Sequence, residues 1–75
     1  MSNLAELKLG QSATVARVHG ADELAVRLLE MGLTPGVECT LIGRAPLGDP
    51  LELEVRGYRL SVRKSEAARV ETKSA

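Results

Sequence analysis

Leu51-Glu52-Leu53-Glu54-Val55-Arg56-Gly57-Tyr58-Arg59-Leu60-Ser61-Val62-Arg63 alternates apolar and polar residues on both sides of Gly57. An extended strand has a side-chain period of two, so each half presents one apolar face and one polar face. Joined through Gly57, the halves predict a β-hairpin. With Arg56 and Gly57 as its loop, Val55 faces Tyr58, Leu53 faces Leu60 and Leu51 faces Val62, while Glu54 meets Arg59 on the outer face. That tight loop asks Arg56 to adopt a positive φ, so a longer, bulged connection competes with it. Either connection leaves one shared inner face, to which Tyr58 contributes its ring.

Upstream of the hairpin, Gly43-Arg44-Ala45-Pro46-Leu47-Gly48-Asp49-Pro50 concentrates proline and glycine and reads as an irregular, rigid loop. Val37 to Ile42 alternates as a half-buried strand, with Ile42 breaking phase. Before it, Leu24, Leu28 and Met31 fall at helical spacing, widened by Ala25 and Leu29, with Glu23, Arg27 and Glu30 on the outer face. The helix, over about residues 22–32, is capped by Asp22. Gly32 stops it in a Schellman motif that folds Leu33 back toward Leu28, and Pro35 prevents its resumption. Gln11 to Val18 reads as a strand with a bulge, or packing on both faces, around Val15 and Ala16.

At the ends of the chain, a single helical turn docks Leu4 and Leu7, and residues 1–3 are expected to fray. Lys64 to Ala68 is expected to form a turn capped by Ser65, followed by a short strand around Val70. Residues 73–75 read as a flexible tail around an ordered core of about 4–72. Four or five short strands with one inserted helix and no crossover helices predict a mainly β fold, a small antiparallel barrel whose opening the helix covers.

With 75 residues, the chain predicts a single domain over 1–75. Ten basic residues against ten acidic ones give a formal net charge of zero, which argues against a coat for nucleic acid or anionic lipid. A single cysteine and the lack of a signal-like start point to a reducing cytoplasm. No apolar run approaches the roughly 20 residues that cross a bilayer, so any membrane role is expected to be indirect. Exposed strand edges would allow pairing between copies, so a homo-oligomer is also compatible with this chain.

The chemistry-bearing residues are sparse. Gly43 and Gly48 have phosphate-loop spacing, but Asp49 and Pro50 stand where that loop needs a lysine and a hydroxyl residue. His19 and Cys39 are the soft-metal candidates and fall short of a structural zinc set. Cys39, in phase with Val37 and Leu41, reads as a small buried hydrophobe. Glu52 and Glu54 with Asp49 offer at most a weak hard-cation site. One histidine without a partnered nucleophile gives no catalytic constellation, and Met31 belongs to the helix's apolar stripe. The basic residues Arg56, Arg59, Arg63, Lys64 and Arg69 lack the stacking aromatics of a single-strand binder, Tyr58 being the only aromatic residue. The same scarcity excludes an aromatic-lined groove for polyproline segments. No catalytic residue, metal ligand or cofactor is therefore assigned.

Three stretches in order, Arg27-Leu28-Leu29-Glu30-Met31-Gly32-Leu33-Thr34-Pro35-Gly36, Arg44 to Pro50, and Val55-Arg56-Gly57-Tyr58, resemble the FeoA family, the similarity running from about Leu7 to Val70. The resemblance implies an SH3-like β-barrel with an inserted helix. It also implies an accessory role in bacterial ferrous iron transport and a partner, FeoB, a membrane permease with a cytoplasmic GTP-binding domain. A similar barrel ends the iron-dependent repressors, which implies the alternative of a domain that binds or senses ferrous iron directly. Mapped onto this chain, the motif positions Gly32, Gly57 and Tyr58 already have structural reasons. The expected partner contacts are Arg27 and Glu30 on the helix, Leu47 and Asp49 on the loop, and Arg56 at the hairpin tip.

Overall fold

The structure is a computed structural model that describes residues 2–73. The hairpin forms as the alternation requires. Strand β4 (Leu51–Val55) pairs with β5 (Tyr58–Val62) in the predicted register, Leu51 opposite Val62, Leu53 opposite Leu60 and Val55 opposite Tyr58. The two-residue loop wins over the bulged alternative, with φ of 50° at Arg56 and 84° at Gly57. Positive φ at both central positions is what a type I′ turn needs to match the twist of its strands.

Six strands, more than the four or five expected, form one antiparallel sheet in the order β1-β6-β2-β3-β4-β5, with β1 at Ser2–Asn3, β2 at Ser12–Val18, β3 at Glu38–Arg44 and β6 at Val70–Thr72. Strand β2 joins two halves of a barrel-like sheet that stays open between β1 and β5. Ser12 to Thr14 pair with β3, whereas Val15 to Val18 pair with β6 across a bulge between Val15 and Arg17. That bulge falls where the broken alternation placed it. A second bulge at Ile42 lets β3 continue to Arg44, opposite Leu51. Gly43 and Arg44 are thus strand, not loop, and the irregular segment begins at Ala45.

The chain ends add pairing that the expected boundaries left out. Ser2 and Asn3 do not fray but pair with Thr72 and Glu71, while Met1 lies outside the described residues. This pairing joins residues from opposite ends of the sequence, and no local pattern announces it. At the other end, the Lys73 amide donates to the Thr14 carbonyl, and positions 74 and 75 of the expected tail lie outside the described residues.

Helix α1 spans Glu23–Glu30, capped by Asp22, whose carboxylate accepts from the Ala25 amide at 3.3 Å. The Arg69 guanidinium, donating at 2.6 Å, and then the Ala25 amide hold the Asp22 carboxyl below its ordinary range. At the C-terminus, the Gly32 amide donates to Leu29 and the Leu33 amide to Leu28, the paired bonds of a Schellman motif. Gly32 has φ 106°, and Leu33 and Leu28 are both fully buried. Leu29 remains partly exposed, so the apolar stripe is narrower than its spacing suggests.

Tyr58 departs from the reading that put it in the core. It is 43% exposed, because its ring lies over the end of α1 and its hydroxyl donates to the Met31 carbonyl at 2.7 Å. A helix end leaves carbonyls without partners, and a phenol at the sheet margin satisfies one. A Cβ at Gly32 would overlap that hydroxyl, so this glycine serves both the left-handed turn and the seat of Tyr58.

Leu4 and Leu7, from a 3-10 turn at Leu4–Glu6, are buried as expected and join Val15, Leu28, Leu41, Leu53 and Val70 in one core. Cys39 is also in that core, and burial, aided by Glu38, pushes its thiol up to about 11.

Two outcomes follow for stability and reactivity. Gly32→Ala lowers the unfolding free energy by about 2 kcal/mol, and Tyr58→Phe by about 1 kcal/mol. Combined, they cost less than their sum, because removing the hydroxyl frees the space a Cβ needs. Denaturant titration of the double-mutant cycle checks this, and strict additivity contradicts it. Cys39 should react with a disulfide reagent at neutral pH only at the rate of unfolding, so labelling in buffer and in denaturant should differ by orders of magnitude.

Candidate functional site

Helix α2 (Lys64–Ala67) organises the surface on which two of the five expected contact residues meet. Its first amides are satisfied by carboxylates from two directions. Asp49 accepts from the Lys64 amide at 2.8 Å, and Glu66 reaches back to the Arg63 amide at 2.8 Å. Ser65, expected as the cap, lies inside the helix instead. Glu66 makes the backward half of a capping box alone, since Arg63 has no side-chain acceptor, so the sequence carried no complete signal for it.

Glu66 also binds the Arg27 guanidinium, tying α2 to the outer face of α1. Arg27, Pro50, Ser61, Arg63 and Glu66 line a hollow of about 320 Å³. Two expected contact residues, Arg27 and Asp49, are therefore brought to the same region. Each also has an intramolecular role that the sequence did not disclose, since their partners lie far along the chain.

The remaining three are free of such ties among the described residues. Glu30 ends α1 and Arg56 occupies the hairpin tip, both exposed. Each is a near neighbour in sequence of the Met31–Tyr58 hydrogen bond, which places them toward one end of the α1–hairpin junction. Leu47 stands in the turn closed by the Gly48 amide on the Ala45 carbonyl and is 97% exposed. An apolar side chain so fully in solvent contributes nothing to the core.

The candidate metal donors are separated. Cys39 is sealed in the core, whereas His19 sits at the surface end of β2 with its Nε2 at 2.7 Å from a Glu71 oxygen. Among the described residues no three His, Cys, Asp or Glu side chains gather as a metal site, and no helix is long and apolar enough to cross a membrane. What the surface offers is a set of held charges around α2, from Arg27, Asp49 and Glu66, beside exposed arginines of the hairpin, groups able to make charge-assisted hydrogen bonds to another molecule.

Comparison with known proteins extends this picture. The FeoA domain model matches residues 2–73. A Porphyromonas gingivalis protein described as an Fe(2+) transport protein A/Fe(2+) transporter FeoB fusion is 38% identical over 68 residues. The match covers 91% of this chain but only 8% of that much longer relative. The crystal structure of Stenotrophomonas maltophilia FeoA, a prokaryotic SH3 domain protein complexed with zinc, is 38% identical with a TM-score of 0.85, covering 97% of this chain and 91% of that one. A manganese-dependent transcriptional repressor shares the fold alone, with a TM-score of 0.84 at 16% identity over 99% of this chain and 41% of its own. The barrel-like sheet is thus SH3-like, and the span matched by the family model, with the 38% identical FeoA structure, shows that this chain belongs to the FeoA family.

Proposed function

We propose that this domain is a non-enzymatic, cytoplasmic accessory factor that docks on FeoB and modulates its work as a ferrous iron permease. The observation that carries the reading is the fusion of a FeoA segment to FeoB in one relative. Tethering raises the effective concentration of one module at the other to roughly millimolar, the arrangement expected of parts that act at one place. The membrane is reached only through the partner.

The surface supports docking by recognition instead of chemistry. Leu47 gives an apolar anchor, Asp49 and Arg27 give charges held by intramolecular partners, Glu30 adds an exposed carboxylate, and Arg56 crowns the hairpin. Arg56 carries a specific signal. A non-glycine residue in the left-handed region costs about 1 kcal/mol, and asparagine would fill the same turn with less strain. A strained residue at an exposed tip is a reason to look for a function at that tip.

Leu47→Ala combined with Asp49→Asn, which keeps an acceptor for the Lys64 amide, should preserve stability and weaken co-precipitation with FeoB by about tenfold or more. Unchanged association removes the loop from the interface. Arg56→Asn should move two measurements in opposite directions, stabilising the fold by about 0.5–1 kcal/mol while weakening the association. Greater stability with full association would make the tip a structural feature only.

A further inference from the structure

The sheet ends at β1 and β5, and β1 is only two residues long. Strand β5 is the long edge. In a two-residue hairpin the pair that closes the turn exchanges both hydrogen bonds, and bonding alternates from there. Tyr58, Leu60 and Val62 therefore spend their backbone groups on Val55, Leu53 and Leu51. Arg59 and Ser61 turn theirs away from the sheet. Both residues are exposed, and among the described residues no backbone hydrogen bond outside the sheet ladder reaches them.

The chemistry of this edge is one-sided. From Arg56 to Lys64 the chain carries Arg56, Arg59, Arg63 and Lys64 and no acid. None of these cations forms an ion pair among the described residues. Glu54 stands opposite Arg59 and Glu52 opposite Ser61, so the acids of the hairpin lie on β4 and the edge strand itself carries none. Just beyond β5, the Arg63 and Lys64 amides are each met by a carboxylate oxygen, from Glu66 and Asp49. The hollow lined by Arg27, Pro50, Ser61, Arg63 and Glu66 lies beside the same edge, and its one acid, Glu66, is already engaged by the Arg27 guanidinium and the Arg63 amide.

We infer that the outer edge of β5 accepts an extended acidic segment of a partner protein as an added strand. The amides and carbonyls of Arg59 and Ser61 supply the ladder, and the flanking cations select carboxylates at alternate positions of the incoming chain. A second copy of this chain is the wrong occupant, because β5 against β5 sets one arginine-rich rim against another. The inference does not depend on which protein supplies the segment, so failure to bind FeoB would leave it standing.

The test uses the intact chain and a synthetic peptide of alternating glutamate and valine, followed by amide NMR and hydrogen exchange. The Arg59 and Ser61 amides should gain protection of about tenfold or more at saturation, while Leu60 and Val62, already in the ladder, change little. Affinity should fall about tenfold in Arg59→Glu and severalfold as salt rises. A peptide N-methylated at alternate residues keeps the charge but cannot form the ladder, and it should lose binding. Equal binding of the methylated peptide overturns the inference, as does absence of any binding or protection confined to other amides. Tighter binding of a single-stranded oligonucleotide, or self-association that protects the same amides without peptide, would do so too.

Discussion

The contact on which the rest of this molecule depends is the one that fastens its eight-residue helix to the hairpin. A helix this short has no independent stability in water and must be held by what surrounds it. Here the holding is done at both ends and in the middle. Asp22 joins the first turn to Arg69, Arg27 joins the centre to Glu66, and the Met31 carbonyl accepts the Tyr58 hydroxyl at the far end. The bonds reach three places in the second half of the chain: the turn before β6, α2 and β5. The helix becomes a strap across the sheet, and the surfaces beside it acquire fixed geometry. Gly20 and Gly32 leave room for this: a Cβ at Gly20 would come within 2.9 Å of the Arg69 guanidinium, and one at Gly32 would meet the Tyr58 hydroxyl.

How much of this was legible depends on how local its cause is. The hairpin register, the Schellman stop at Gly32, the Asp22 cap and the bulge near Ala16 all arise from residues within a few positions of one another, and the sequence pattern predicts them. The pairing of Ser2 and Asn3 with Thr72 and Glu71 arises from chain closure, so fraying was the natural reading of that end. Tyr58 alternates in phase with Leu60 and Val62, yet its ring leaves the core because a helix end elsewhere needs a donor. Extension of β3 to Arg44 depends on Leu51 being opposite, which a loop-like composition conceals.

The contact residues show the same division. Leu47, Glu30 and Arg56 are exposed as their contexts suggest, whereas Arg27 and Asp49 have structural duties set by Glu66 and Lys64. Those duties leave both side chains at the surface. They also make these charges stiff, which would lower the entropy lost in the proposed docking. A neutral chain with an acid-free stretch along one sheet edge is also arranged differently from a neutral chain with mixed charges. Local sign, more than net charge, governs which surface it meets.

The proposed role is that of a passive scaffold acting through its surface on a transporter. Co-purification of the unaltered chain with full-length FeoB and with the soluble GTP-binding part, each with and without guanine nucleotide, addresses it most directly. The account predicts a complex that survives chromatography without added iron. A chain that elutes alone in every condition, while binding ferrous iron at unit stoichiometry or hydrolysing nucleotide unaided, would contradict it.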